Sequence, residues 1–348
     1  MEQYEQQPLP WERLSFIASG SYGRYGRKSR EVLTPYTRRL LLRIVALGVL
    51  CVHSPVLAQK VAIITTDTLT STQRSVTGAK SVIKSALPQV AFSEQLISYP
   101  NGKGSITADS IRALKPSLIL TVGTAATEFA QNNFKDITIV FSSVMYPIVS
   151  GFVESYNKPG GNITGASLSI PSKTQFDYFK MIVPKLKAIG VLYTSNTEAL
   201  IPQAKQTAKG LGLELVSIKV TCERELPAAF DSLTRSVQGI WSLADPNLFS
   251  PQSTKFILIN ALRRGIPLMG FSRNVVESGA LFALDFDYKA VGRQAGEIAS
   301  QILRGARTEN LSVTTPDIIW FHYNEKTAKH INITIPDELI AVAKEVYR

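Results

Sequence analysis

Cysteine is all but missing from this chain, with Cys51 and Cys222 the only two in 348 residues. No cysteine cluster can therefore hold a metal. Histidine is almost as scarce. His322 and His330 stand eight residues apart, late in the chain, without a metal-ligand partner at standard spacing, and read as structural or surface groups. There is no Gly-x-Ser-x-Gly elbow, no paired-histidine motif and no histidine beside a candidate nucleophile. An enzyme is not expected, and neither is a cofactor. Gly-x-Gly-x-x-Gly is absent after the first strand, which removes a two-domain dehydrogenase. The net charge is +11, yet no Lys/Arg run follows Arg43. Beyond residue 59, 30 basic and 23 acidic residues are thinly spread, about +7, which describes a solvated surface rather than a nucleic-acid track.

Long apolar runs are lacking too. In "RRLLLRIVALGVLCVHSPVLAQK", Arg38, Arg39 and Arg43 precede an apolar run from Ile44 to Val52. A bilayer span needs roughly 20 such residues, so this run is too short for a permanent anchor. Val56 and Ala58 follow at the small-residue positions of a signal-peptide site. Residues 1–58 are expected to be an N-terminal extension plus export signal, cleaved after Ala58 to leave a periplasmic product. Leu50 before Cys51 is a poor match to a lipid-attachment box. With the signal removed, Cys222 is alone and no intramolecular disulfide can form. A DNA-binding regulator would carry a helix-turn-helix where this segment lies.

What the chain does have, after Lys60, is regular alternation. "KVAIITT", "AFSEQLISY", "PSLILTVG" and "ITIVFSSV" read as strands, separated by helical patterns such as "TQRSVTGAKSVIKSAL". The pattern restarts with the helix "PSKTQFDYFKMIVPKL" and the strands "AIGVLYT", "LELVSIKV", "GIWSLAD" and "IPLMGFS". Strand–helix alternation implies βαβ units and parallel sheets covered on both faces. The class is α/β, with two Rossmann-like halves. "KPGGNITG", Lys158 to Gly165, lies at their join. No buried strand leads directly into it and no Gly-Lys-Ser/Thr follows, which argues against a phosphate loop. Asn162-Ile163-Thr164 has the form of a glycosylation acceptor, a pattern common by chance. The segment is expected to be the domain crossover, with Gly160 and Gly161 supplying positive φ for a hinge.

Four stretches, in order, resemble a bacterial family of ABC-transporter substrate-binding proteins: "IVFSSVMYPIVSGFVESYNKPGGNITGAS", "PKLKAIGVLYT", "RRGIPLMGFSRNVVESGALFALDFDYKAVGRQAGEIASQILRG" and "NEKTAKHINITIPDELIAVAKEV". The resemblance covers roughly Lys60 to Arg348. It implies a type I periplasmic-binding-protein fold, two lobes joined by a three-crossover hinge with ligand held between them. Lobe one would comprise 59–150 and 286–308, and lobe two 151–285 and 309–348. "ALFALDFDY" and the following helix would return to lobe one, and "PDIIWFHYN" with a final helix to lobe two. The implied role is an exported receptor that delivers a small polar ligand, an amino acid or similar zwitterion, to an ABC permease at the inner membrane, working as a monomer. The same fold could serve instead as an exported sensing module of a signalling system. Two departures fall at strand ends: "TTDTLTSTQ" after the first strand, and Met145-Tyr146-Pro147 where the family has Thr-Asp-Pro. The relatives' ligands, aromatic amino acids among them, do not carry over on sequence.

Ligands of open parallel sheets bind beyond the carboxyl ends of the strands. In lobe one those ends offer Thr66 and Asp67, then Gly123, Thr124 and Ala125, then Ser142, Ser143 and Tyr146. Lobe two offers Ser195 and Asn196, Asp245 and Asn247, and Phe271 and Ser272, with Arg273 next. Asp287 and Tyr288 lie on the returning crossover. Asp245 could pair with a ligand ammonium or cap the next helix. Thr124 could equally be a helix cap, Asp287 a hinge residue, and Tyr146 and Phe271 core or stacking walls.

Overall fold

The computed structural model describes residues 59–98 and 108–348. The export-signal reading of residues 1–58 lies outside the described residues.

The first lobe begins with β1 (Lys60–Thr65), α1 (Thr70–Ala86), β2 (Ala91–Leu96), α2 (Ala108–Ala113), β3 (Leu118–Val122), α3 (Thr124–Asn133), β4 (Ile139–Val144) and β5 (Ile163–Ser167). The strands form one all-parallel sheet in the order β2-β1-β3-β4-β5. Every residue of β3 is buried, as are Val61 to Ile64 of β1, so both strands read as unbroken apolar runs. Edge strand β2 has no buried residue and reads as mixed polar and apolar.

The second lobe continues with α4 (Ser172–Ile182), β6 (Ala188–Tyr193), α5 (Ile201–Gly210), β7 (Glu214–Lys219), α6 (Leu226–Leu233), β8 (Gly239–Trp241), α7 (Pro251–Arg263), β9 (Leu268–Gly270), α8 (Arg273–Glu277) and β10 (Phe282–Phe286). After α9 (Tyr288–Leu303) come β11 (Ile319–Asn324), α10 (Glu325–His330), α11 (Asp337–Ala341) and β12 (Ala343–Tyr347). The second sheet runs β12-β11-β10-β9-β8-β6-β7. It is parallel except where β10 meets β11. One face carries an aromatic core of Phe176, Phe179, Trp241, Phe282 and Phe321.

Several expectations need correction. The segment "KPGGNITG" is not the crossing. It turns the chain into β5, which pairs with β4 in the first sheet, so the chain passes to the second sheet only between Ser167 and Ser172. Gly160 does have φ of +93°, whereas Gly161 has no positive φ. Asn162 fastens the turn, its side-chain amide donating to Phe134 O at 2.9 Å and Ile137 O at 2.6 Å. The boundary after 150 therefore falls too early. So does the one after 308, since Val313 packs in the first lobe's core and Thr314 bridges to Ala166 of β5. Strand β10, expected to begin the return to lobe one, pairs within the second sheet. The expected final helix is the short α11 followed by strand β12.

Helix α9 returns to the first lobe and lies against α1, buried through Ala290, Val291, Gly292, Ala295 and Gly296. The approach is close. A Cβ on Gly78 of α1 would lie 2.2 Å from Lys289 O, and one on Gly292 would lie 2.1 Å from Ser75 O.

Candidate functional site

Strand order sets the site. The parallel strands β1, β3 and β4 are neighbours, so their carboxyl ends place residues 66–69, 123–125 and 143–147 side by side on lobe one. On lobe two, β8, β9 and β10 are neighbours and end at Trp241, Gly270 and Phe286. Between them lies a cavity of about 40 Å³, walled from lobe one by Met145, Tyr146 and Leu168 and from lobe two by Ser242, Leu243, Ala244, Phe271, Leu284 and Phe286. The crossing segment adds Ser169 and Ile170, and α4 adds Gln175. No charged side chain lines it. Ser242 is 4% exposed and its hydroxyl has no partner among the described residues. A buried hydroxyl left unpaired is costly, so this group is primed to accept or donate to a ligand. Gln175 is held by the Trp241 indole N–H at 2.7 Å.

Tyr146 reaches from lobe one to lobe two at this cavity. Its backbone has φ of +53°, unusual for a side-chain-bearing residue. Its N–H donates to Ser169 Oγ at 3.0 Å, and its hydroxyl accepts a long bond, 3.4 Å, from the Ala244 N–H of lobe two. Burial pushes the phenol up to about 12, with the Asp245 and Tyr156 charges adding to the rise and the Ala244 N–H opposing it. Tyr146 also walls a larger groove of about 670 Å³ that runs past Tyr156, the crossing segment, Trp241 and α5.

Of the sixteen residues expected at the site, only Tyr146 and Phe271 line the interlobe cavity. Ser195 and Asn247 line a separate pocket of about 330 Å³ within lobe two, with Lys219 and Cys222. Asp245 is 1% exposed and already saturated. Its Oδ2 accepts from the Thr194 N–H (3.2 Å), Thr194 Oγ1 (2.8 Å) and Thr197 Oγ1 (2.7 Å), and its Oδ1 from the Asn247 N–H (3.1 Å). It ties two loops of its own lobe. Asn196 belongs to the same knot through its N–H to Thr194 Oγ1. Ser142 and Ser143 hydrogen-bond Ser75 of α1 at 2.7 and 3.2 Å.

Asp67 accepts from the Leu69 N–H at 3.0 Å and from Thr72 Oγ1 at 2.6 Å, closing the start of α1. Asp287 caps α9 through the Lys289 N–H and pairs with Arg74 at 2.7 Å, so it serves the crossover. Tyr288 packs edge-on against Phe286. Gly123, at φ +88°, is the N-cap residue of α3; Thr124 is its exposed first residue, followed by half-buried Ala125. Thr66 is half-buried at the end of β1, and Ser272 is the N-cap residue of α8 without a side-chain capping bond.

Among the lining residues missed are Ser242, Leu243 and Ala244, because "GIWSLAD" reads as a strand to Asp245 while β8 ends at Trp241. Four residues of shift moved the lobe-two wall from an uncharged strip to an acid. Ser169 and Gln175 were missed because the crossing was placed too early.

Comparison with known proteins fits this geometry. Residues 70–347 match the family described as ABC transporter substrate binding protein. A tyrosine-binding protein of Clostridioides difficile is 30% identical over 222 residues, which take in 63% of this chain and 64% of that protein, so the chain spans just under two thirds of its relative's length. Among solved structures, a ligand-free, open substrate binding protein with adhesive properties from Clostridium difficile aligns with a TM-score of 0.69, and a domain in complex with L-Trp from Streptococcus pneumonia with 0.60. Each is 23% identical, covering 83% of this chain and 99% of the other. A periplasmic ribose transporter protein from Conexibacter woesei, 14% identical, covers 79% of this chain and 95% of the other with a TM-score of 0.51. The fold is that of the type I periplasmic binding proteins, and the chain belongs to the ABC transporter substrate binding protein family.

Proposed function

Starting from that family membership, we propose that the protein captures an aromatic amino acid between its lobes and delivers it to an ABC importer after export. The observation that carries this is the uncharged interlobe cavity, with Phe271 and Phe286 as aromatic walls and a Ser242 hydroxyl without a partner among the described residues. Aromatic faces favour offset or edge-on packing with a ligand ring. The names of two relatives point the same way, one a tyrosine-binding protein and the other a structure holding L-Trp. Ligand would favour the closed arrangement of the lobes, and only that form would dock on the permease. Among the described residues no helix is long and apolar enough to cross a membrane.

A thermal-shift screen of the twenty amino acids, nucleosides and simple sugars against protein starting at Gln59 tests this reading. L-Tyrosine or L-tryptophan at 100 times its Kd should stabilise by about 2.7 kcal/mol. A sugar or nucleoside hit with no aromatic amino acid response would overturn the ligand class.

A further inference from the structure

The cavity between the lobes is too small for the ligand class it suits. About 40 Å³ holds about three waters. Beside it lies the groove of about 670 Å³, and the two share Tyr146, Ser169, Ile170, Gln175 and Leu243 as walls. Tyr146 alone of these comes from the β4 end of lobe one and reaches lobe two, through the Ala244 N–H. It does so from a left-handed backbone, three residues after Ser143, which has φ of +59°. Ser143 lies in β4 where its pairing with β5 shifts register, and Tyr146 lies just beyond the strand; two side-chain-bearing residues at positive φ this close together mark a strained segment of the kind found at ligand clamps and switches. The ring's one bond across the cleft is long, and the buried Ser242 hydroxyl beside it is unpartnered among the described residues. The site is filled but poorly satisfied.

We propose that Tyr146 is an internal occupant of the ligand cavity: its phenol ring takes the place of a ligand's side chain in the empty protein, and ligand binding displaces it. This rests on the reading of the interlobe cavity as the ligand site. Displacement into the adjoining groove needs only side-chain rotation and relaxation of the strained segment. The tyrosine thereby sets both affinity and ligand size, since an aromatic ligand competes with a tethered copy of its own ring.

Chemical complementation tests this without knowing the ligand. Tyr146→Gly removes the ring and suits the left-handed backbone, so it should fold. The probe is 4-methylphenol, the excised side chain. It should bind Tyr146→Gly at one site and raise its Tm, leave wild type unshifted, and be competed off by L-tyrosine or L-tryptophan. Both amino acids should bind Tyr146→Gly at least ~10-fold more tightly than wild type. Tyr146→Phe, which loses only the Ala244 bond, should exclude 4-methylphenol yet bind the amino acids several-fold more tightly. Equal response of wild type and Tyr146→Gly to 4-methylphenol, or weaker amino-acid binding by both variants, would overturn the proposal. Binding of 4-methylphenol by Tyr146→Gly alone, with no amino acid bound by any variant, would uphold the occupant and sink the amino-acid reading.

Discussion

At the scale of single residues, Asp245 shows what sequence can and cannot say. An acid at a strand end before proline is legible as a polar anchor, but whether its partner is a ligand or its own chain depends on loops brought together in space. Four donors from Thr194, Thr197 and Asn247 tie it to its own chain. In Asp245→Asn the amide must turn its NH2 toward N–H or hydroxyl donors. Stability should fall by about 1–3 kcal/mol in urea titrations, with amino-acid affinity unchanged within about twofold. His322 is a second case. Its side chain is 1% exposed, with neither ring nitrogen hydrogen-bonded, and Glu345 Oε2 stands 3.6 Å away. Burial holds its pKa below the ordinary 6.5, against the opposing pull of Asp285 and Glu345, with Arg273 and Lys344 reinforcing the fall. A histidine depressed in the folded state contributes stability above the unfolded value, and that contribution is lost as pH falls through 6.5 toward the folded value. Stability should therefore drop between pH 7.5 and 5.5, and His322→Leu should flatten that part of the profile. Parallel slopes for the two proteins would contradict it.

At the scale of elements, most of the alternation was legible because central strands buried on both faces leave unbroken apolar runs. Two strands were not. In β5 the run is broken by Gly165, where a Cβ would lie 2.1 Å from Phe141 O, so the residue that lets the strand fit also hides it. In β12 the helical spacing of "DELIAVAKEV" misleads, and pairing with β11 overrides local preference. The α1–α9 contact was not legible as an interface, although "VGRQAG" carries its small residues. Gly292→Ala would press a methyl into the Ser75 carbonyl, a backbone group that cannot rotate away. Overpacking of this kind should cost about 1–3 kcal/mol, read as a lower denaturant midpoint, whereas Gly161→Ala, with open space around it, should be close to neutral.

At the scale of the whole molecule, three passages between the sheets tie the lobes: residues 168–171, Asp287 and residues 315–318. Arg74 of α1 adds a contact from the first lobe, pairing with Asp287 and lying over the Trp320 ring at 5.9 Å from its centroid. Such a hinge permits closure and little other motion. Adding a bound amino acid should therefore reduce the radius of gyration in solution scattering, and an unchanged value with proven binding would contradict closure. The same threading fixes an order of events when the chain is made. Lobe one's sheet is spelled out by residue 167, yet the helix that covers its α1 face is not available until residue 303. Lobe two waits for β12, residues 343–347. A chain emerging from its N-terminus thus covers the α1 face of lobe one and completes the β12 edge of lobe two only late in its synthesis, and those long-range contacts must form last.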